Sequence, residues 1–264
     1  MIPYIASTAN PKIKWVKSLH KNSTRREEGV FLVEGAKEIA YALDGGFLPH
    51  SLFVCPEIYG DQLPKQTDTE IYTISKDCYE KITYRGSTDG LLAVFQAKQR
   101  TLDEVTFGEN PLFLVVEGVE KPGNLGAIIR TADGAGVDAV IVCDEKTDIF
   151  NPNVIRSSVG TVFTKQVVAA SSNDVYDFLE KHEINAYGAI LSDKSLPYSQ
   201  TDFSLPTALV LGTEHQGLSE FWKERSKPII IPMLGANDSL NVSNAAAILA
   251  YEAVRQRYED TNLA

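Results

Sequence analysis

The stretch LFLVVEGVEKPGNLGAIIRTADGAG, residues 112–136, opens with five apolar residues in a row. Strict alternation of apolar and polar residues marks a strand with one wet face. An unbroken apolar run marks a strand covered on both faces, as in parallel sheets. Pro122 and Gly123 then turn the chain, and Asn124 reads as the cap of a helix that begins near Leu125. Arg130 lies six residues beyond Asn124, among Ile128, Ile129 and Ala132. An arginine inside an apolar stripe needs a carboxylate or phosphate partner.

The same strand signal recurs at 139–143, 162–168, 186–191, 208–211 and 229–231. Helical spacing lies between most of these runs, including 174–181, and a last helix is expected over about 244–258. Residues 111–264 therefore read as an α/β domain built on a parallel sheet. Upstream, residues 29–97 alternate shorter strands (30–33, 51–55, 71–74, 90–97) with helical stretches, which predicts a small α/β domain. Residues 98–110 are polar and charged and read as a linker.

The first 28 residues form a basic arm or helix. Asn10 and Pro11 supply a cap and a first helical position. Residues 1–26 hold six basic side chains (Lys12, Lys14, Lys17, Lys21, Arg25 and Arg26) and no Asp or Glu, whereas the whole 264-residue chain carries a net charge of −10. That balance argues against a general polyanion binder. A basic end on an acidic body fits one end that touches nucleic acid, and fits equally a solvated first helix. No apolar run approaches the ~18 residues of a membrane span, and no signal peptide is evident. Cys55, Cys78 and Cys143 form no CxxC pair, and the histidines show no metal-ligand spacing, so a reducing cytoplasm and no metal are expected.

In a parallel α/β sheet, ligands bind beyond the carboxyl ends of the strands. Three loops there stand out. The first is 117–136, whose glycines do not fit the GxGxxG dinucleotide fingerprint, which disfavours a nucleotide-dependent oxidoreductase. The second, LVLGTEHQGLSEF at 209–221, offers Gly212 for close backbone approach and Glu214 as a partner for Arg130 or for a ligand hydroxyl. The third, IPMLGANDSLNVSNAAAIL at 231–249, has Ile231, Met233 and Leu240 as apolar walls and Ser239 and Asn241 as short polar groups. Ser243 reads as the cap of the last helix. Cap and turn chemistry alone would also account for these polar residues.

Taken together, NLGAIIRTADGAG, LGTEHQGL and IPMLGANDSLNVSNAAAILAYEAVRQR resemble, in order and spacing, the three signature motifs of the SpoU (TrmH-type) RNA 2′-O-ribose methyltransferases of the SPOUT superfamily. The likeness covers about residues 110–258, and FLVEGAKEIAYAL within 29–97 looks like the small substrate-binding domain often fused ahead of them. The resemblance implies a deep trefoil knot, a homodimer with its active site near the subunit interface, and S-adenosylmethionine as methyl donor. It implies donor contacts from Gly212, Ile231 and Leu240, with the backbone near Leu211 and Met233. It carries active-site roles onto Asn124, Arg130, Glu214, Ser239 and Asn241. RNA contacts are expected at Lys12, Lys14, Lys17, Arg25 and Arg26.

The implied chemistry is displacement at a sulfonium methyl by a ribose 2′-hydroxyl, helped by holding both reactants in line. The family proposal makes the Arg130 counterpart the base. A guanidinium normally only donates hydrogen bonds, so Arg130 is expected instead to anchor the target phosphate and to stabilise alkoxide charge. One departure from many relatives is Lys121, where they carry an acidic residue before the proline. Ribosomal RNA is favoured as substrate, 23S above the rest. The rivals are transfer RNA and a non-catalytic RNA-binding or ribosome-assembly factor on the same fold.

Overall fold

The computed structural model describes residues 2–60, 69–84, 89–213 and 216–259. The chain forms two compact units, Met1–Lys98 with Phe150–Thr164, and Gln99–Ile149 with Lys165–Ala264.

The first unit runs β1 (Tyr4–Ile5), α1 (Pro11–Ser18), α2 (Asn22–Glu28), β2 (Val30–Glu34), α3 (Ala36–Asp44), β3 (Pro49–Val54), α4 (Pro56–Tyr59), β4 (Glu70–Ile74), α5 (Lys76–Ile82) and β5 (Leu91–Gln96). Its five strands lie in the order β1-β4-β3-β5-β2, with β5 antiparallel to both neighbours. The basic N-terminal segment is not a detached arm. Asn10 caps α1 by accepting from the Lys12 backbone N–H at 2.8 Å, and Ile13, Val16 and Leu19 are buried in one cluster with Ile74, Cys78 and Ile82. The spacing of those three apolar residues puts them on one face, and that face becomes core.

The second unit is built on β6 (Leu112–Glu117), α6 (Pro122–Gly134), β7 (Ala139–Cys143), β8 (Gln166–Ala170), α9 (Ser172–Lys181), β9 (Asn185–Ala189), β10 (Leu196–Pro197), β11 (Thr207–Leu211), α10 (Glu220–Arg225), β12 (Lys227–Ile230) and α11 (Val242–Glu259). Between β7 and β8 the chain makes α7 (Pro152–Ser157) and α8 (Thr161–Thr164), which belong to the first unit. The strand order is β10-β12-β9-β11-β6-β7-β8, and every pairing is parallel. All residues of β6, β7 and β11 are buried, as their unbroken apolar runs require.

One expected strand divides. Val162 and Phe163 lie in α8, and β8 starts only at Gln166. A short apolar run reads alike as strand or as buried helix. Here the left-handed pair Val159 (φ 54°) and Gly160 (φ 80°) turns the chain into a helix. Phe163 then joins Phe31 and Phe47 in an aromatic cluster, with Phe150 stacked on Phe31 at 4.4 Å.

Candidate active site

Because the sheet is parallel, the carboxyl ends of β6, β9, β11 and β12 share one edge. A cavity of about 330 Å³ opens there, within the ~300–1,000 Å³ usual for small-molecule sites. Leu211, Gly212, Ile231, Met233 and Leu240 all line it, with Ser239 beside them. The third wall is Ala189, Ile190 and Leu191, which sequence reasoning missed. Its strand reading ran on to 191, whereas β9 stops at Ala189 and the next two residues turn into the cavity wall.

The segment after β11 is a closed loop. Thr213 and Gly217 exchange backbone hydrogen bonds at 3.1 and 3.0 Å, and Gly217 has φ 66°. Gly212 is required for a reason other than ligand approach: a Cβ there would run into the backbone of Gly217 and Leu218. Glu214 and His215 lie outside the described residues. The loop is held from below by Glu117, the last residue of β6, which is 8% exposed and accepts from the Ser219 N–H at 2.8 Å. That carboxylate satisfies a donor at the start of α10, where Ser219 itself makes no side-chain cap. Trp222 on the same helix is fully buried and donates from Nε1 to Ser172 Oγ at 3.0 Å. Cys143, at the end of β7, is no nucleophile: burial pushes its thiol up to about 12.

Asn124, expected to cap α6, lies instead inside its first turn. The helix starts at Pro122, and the Asn124 N–H donates to Lys121 O at 3.0 Å. The proline at the first helical position, whose missing N–H costs nothing there, sets this start. Arg130 is corrected too. The buried face of α6 is Leu125, Gly126, Ile128, Ile129 and Ala132, and Arg130 is exposed on the other side. It makes no hydrogen bond or ion pair with the described residues.

In the third loop, Asn241 rather than Ser243 caps α11. Its Oδ1 accepts from the Ser243 N–H at 2.9 Å and from Ser243 Oγ at 2.6 Å. Its Nδ2 donates to Asn124 Oδ1 at 3.2 Å, joining the first loop to the third. Asn241 precedes the first helical residue, Val242, which is the position a cap must hold. Ser239 is exposed and donates to Asp238 Oδ1 at 3.1 Å, and both stand on the cavity wall.

The basic residues of the first unit divide. Lys14, Lys17 and Arg26 are exposed. Lys12 is bound by Tyr72 Oη at 2.7 Å and Glu70 Oε2 at 3.1 Å. Arg25 cannot serve as an RNA contact. It is 3% exposed, and its Nη1 donates to Leu19 O at 2.9 Å and His20 O at 3.0 Å. Its charge serves the carboxyl end of α1, where orphan carbonyls need donors.

A parallel sheet with an apolar cavity at its carboxyl edge, closed by two loops and the cap of the last helix, defines an α/β enzyme domain of the cofactor-binding kind. Residues 111–251 match the SpoU rRNA Methylase family, and residues 10–93 match the MRM3-like substrate binding domain. The chain belongs to the SpoU rRNA methylase family. It is 32% identical over 250 residues to the Bacillus subtilis 23S rRNA (guanosine(2553)-2′-O)-methyltransferase RlmP, covering 94% of this chain and 97% of that one. It is 30% identical to a Streptomyces viridochromogenes 23S rRNA (uridine(2479)-2′-O)-methyltransferase, covering 92% and 89%. The crystal structure of the AdoMet-bound rRNA methyltransferase from Sinorhizobium meliloti superposes with a TM-score of 0.88 at 27% identity, over 96% of this chain and 98% of that one. The family that the three motifs imply, and an α/β fold with a parallel sheet behind a small substrate-binding domain, are those found.

Proposed function

We propose that this protein transfers a methyl group from S-adenosylmethionine to a ribose 2′-hydroxyl of RNA, with 23S ribosomal RNA as its substrate. The observation that carries this reading is the convergence of three separate loops: five residues expected to hold the donor line one cavity, and Asn124 and Asn241 join beside it. Both 23S-specific relatives support the substrate class. The cavity suits the donor chemically. Ile190, Ile231, Met233 and Leu240 give apolar walls for a purine, and Asp238 and Ser239 give hydrogen-bonding groups for polar substituents.

When bound, S-adenosylmethionine supplies a methyl group on a positively charged sulfur, open to displacement by a ribose oxygen. The chain's own residues position and polarise. Arg130, exposed and without a partner among the described residues, binds the target phosphate and stabilises negative charge growing on the ribose oxygen. Asn241 fixes Asn124 through its amide, and Ser239, on the cavity wall, would offer its hydroxyl to the donor's polar groups. Glu214 completes the set in this proposal. Much of the acceleration is positional.

The enzyme acts in this reading as a cytoplasmic homodimer. Three buried free cysteines fit a reducing compartment. Arg130 and Tyr251, exposed on the packed pair α6 and α11, offer a surface near the site for a second subunit. We infer a knotted C-terminus as well. The chain leaves β12, on the far side of β9 from β11, and returns across the sheet edge to reach α11, which packs on α6 and β11.

The test is transfer of radiolabelled methyl to ribosomal RNA from a host that lacks the modification. Wild type should label it. Arg130→Ala should lose at least about a hundredfold in rate while keeping donor affinity, as expected when a stabiliser of transition-state charge is removed. An Arg130→Lys variant that kept near-full rate with its pH profile moved toward a lysine pKa would assign the base to this position.

A further inference from the structure

The first unit carries a side-chain cluster that the chemistry at the sheet edge does not use. Lys17 on α1 and Arg156 on α7 are exposed, and both act electrostatically on Glu34 at the end of β2. Glu34 is half-buried, and its Oε1 accepts from the Tyr84 backbone N–H at 2.6 Å. The Tyr84 ring stacks on His20, with centroids 5.8 Å apart and planes 22° from parallel. His20 is fixed in turn by a 2.6 Å contact of Nε2 with Ile82 O, while its Nδ1 is buried with no hydrogen-bond partner among the described residues.

Core packing does not call for this combination. Two exposed cations beside a half-buried aromatic pair are what proteins use to grip unpaired nucleic acid. Rings take the base face, and cations take the phosphates on either side. Burial pushes the Glu34 carboxyl up to about 7, which lessens the negative charge that this side chain would set against a phosphate. Resting on the RNA reading above, we propose that Lys17, His20, Glu34, Tyr84 and Arg156 form a contact site for an unpaired RNA nucleotide. Its base lies on the Tyr84–His20 pair, and the flanking phosphates lie on Lys17 and Arg156.

The test uses the full chain and an unmodified 23S ribosomal RNA transcript, with affinity measured across a salt series. The Lys17→Ala/Arg156→Ala double variant should bind about tenfold or more weakly, and its salt slope should be shallower by about 1.4, the loss of two single-strand phosphate contacts. Tyr84→Leu should bind about tenfold more weakly with an unchanged slope, and Tyr84→Phe, which keeps the ring, should bind as wild type does. Lys76→Ala, at an exposed lysine paired with Glu80, is the control and should change nothing. Calorimetry with S-adenosylmethionine confirms that each variant keeps a folded cavity. Ultraviolet crosslinking should attach RNA to the peptide containing Tyr84. Equal affinity in all variants, or crosslinks confined to other peptides, would overturn the site while leaving the methyl-transfer reading intact. A wild type that binds the donor but no RNA would remove the RNA reading and this site together.

Discussion

Asn241 and Asn124, 117 residues apart, meet side chain to side chain: Asn241 Nδ2 donates to Asn124 Oδ1 at 3.2 Å. The same Asn241 amide caps α11 through its oxygen. One side chain therefore starts the last helix and fixes a polar group on the first turn of α6. The two roles separate by substitution. Asn241→Ala removes both and should lower stability by about 1 kcal/mol, a usual cap loss. Asn241→Asp keeps an oxygen for the Ser243 N–H but loses the donor to Asn124. Its denaturation midpoint should stay near wild type while kcat falls tenfold or more. A wild-type kcat in Asn241→Asp would make Asn241 a cap and nothing else.

Glu34 makes the first unit sensitive to pH. Burial raises its carboxyl from the ordinary 4.5 to about 7. Between those values the native state keeps a proton that the unfolded chain has released, so stability falls as pH rises. The stabilisation is complete below about pH 4.5 and is lost as pH climbs through about 7. Glu34→Gln keeps an acceptor for the Tyr84 N–H and removes the titration. Relative to wild type it should gain up to about 3 kcal/mol on moving from acid to pH 8. Urea denaturation at pH 5 and pH 8 checks this, and parallel behaviour of the two proteins would refute it.

Arg257 latches the end of α11 to the start of the sheet. Nε donates to Phe203 O at 3.0 Å, Nη1 to Asn110 O at 2.8 Å, and Nη2 to Pro111 O at 3.1 Å and Leu205 O at 2.8 Å. A lysine, with a single nitrogen, cannot reach this spread of carbonyls. Arg257→Lys should cost about 2–4 kcal/mol, because hydrogen bonds from a charged donor are lost and carbonyls are left unpaired. Arg255→Ala, two residues away, removes an exposed arginine from Glu252, which keeps its hydrogen bond from Gln256 Nε2, and should stay within about 1 kcal/mol of wild type. Urea midpoints rank the two. A harmless Arg257→Lys would show that the latch contributes little.

The parts of this protein that were legible in the sequence are those set by burial. The runs at 112–116, 139–143 and 208–211 became central strands because a fully covered strand has no room for polar residues. Their ends then pointed to the cavity, since a parallel sheet presents one common edge to ligands. What stayed hidden depends on where polar side chains turn. Arg25 and Arg26 are neighbours of one type, yet Arg25 folds back onto the α1 carbonyls and Arg26 is exposed. Asn241 and Ser243 are both good caps, and the start of α11 at Val242 chooses between them. Arg130 reads as part of an apolar stripe in one dimension, but the helix rotates it away from Ile128 and Ile129. The detour through α7 and α8 follows from Phe150 and Phe163 finding aromatic partners in the first unit, a long-range match that no local pattern contains.

Location of the transferred methyl group tests the central claim most directly. A methyl on a ribose 2′-oxygen blocks alkaline cleavage of the neighbouring phosphodiester, because the attacking hydroxyl is gone. After reaction of wild-type protein with radiolabelled S-adenosylmethionine and unmodified 23S ribosomal RNA, exhaustive alkaline hydrolysis should leave the label in a resistant dinucleotide, and Arg130→Ala should leave almost none. Label released in mononucleotides would place the methyl on a base and contradict the account.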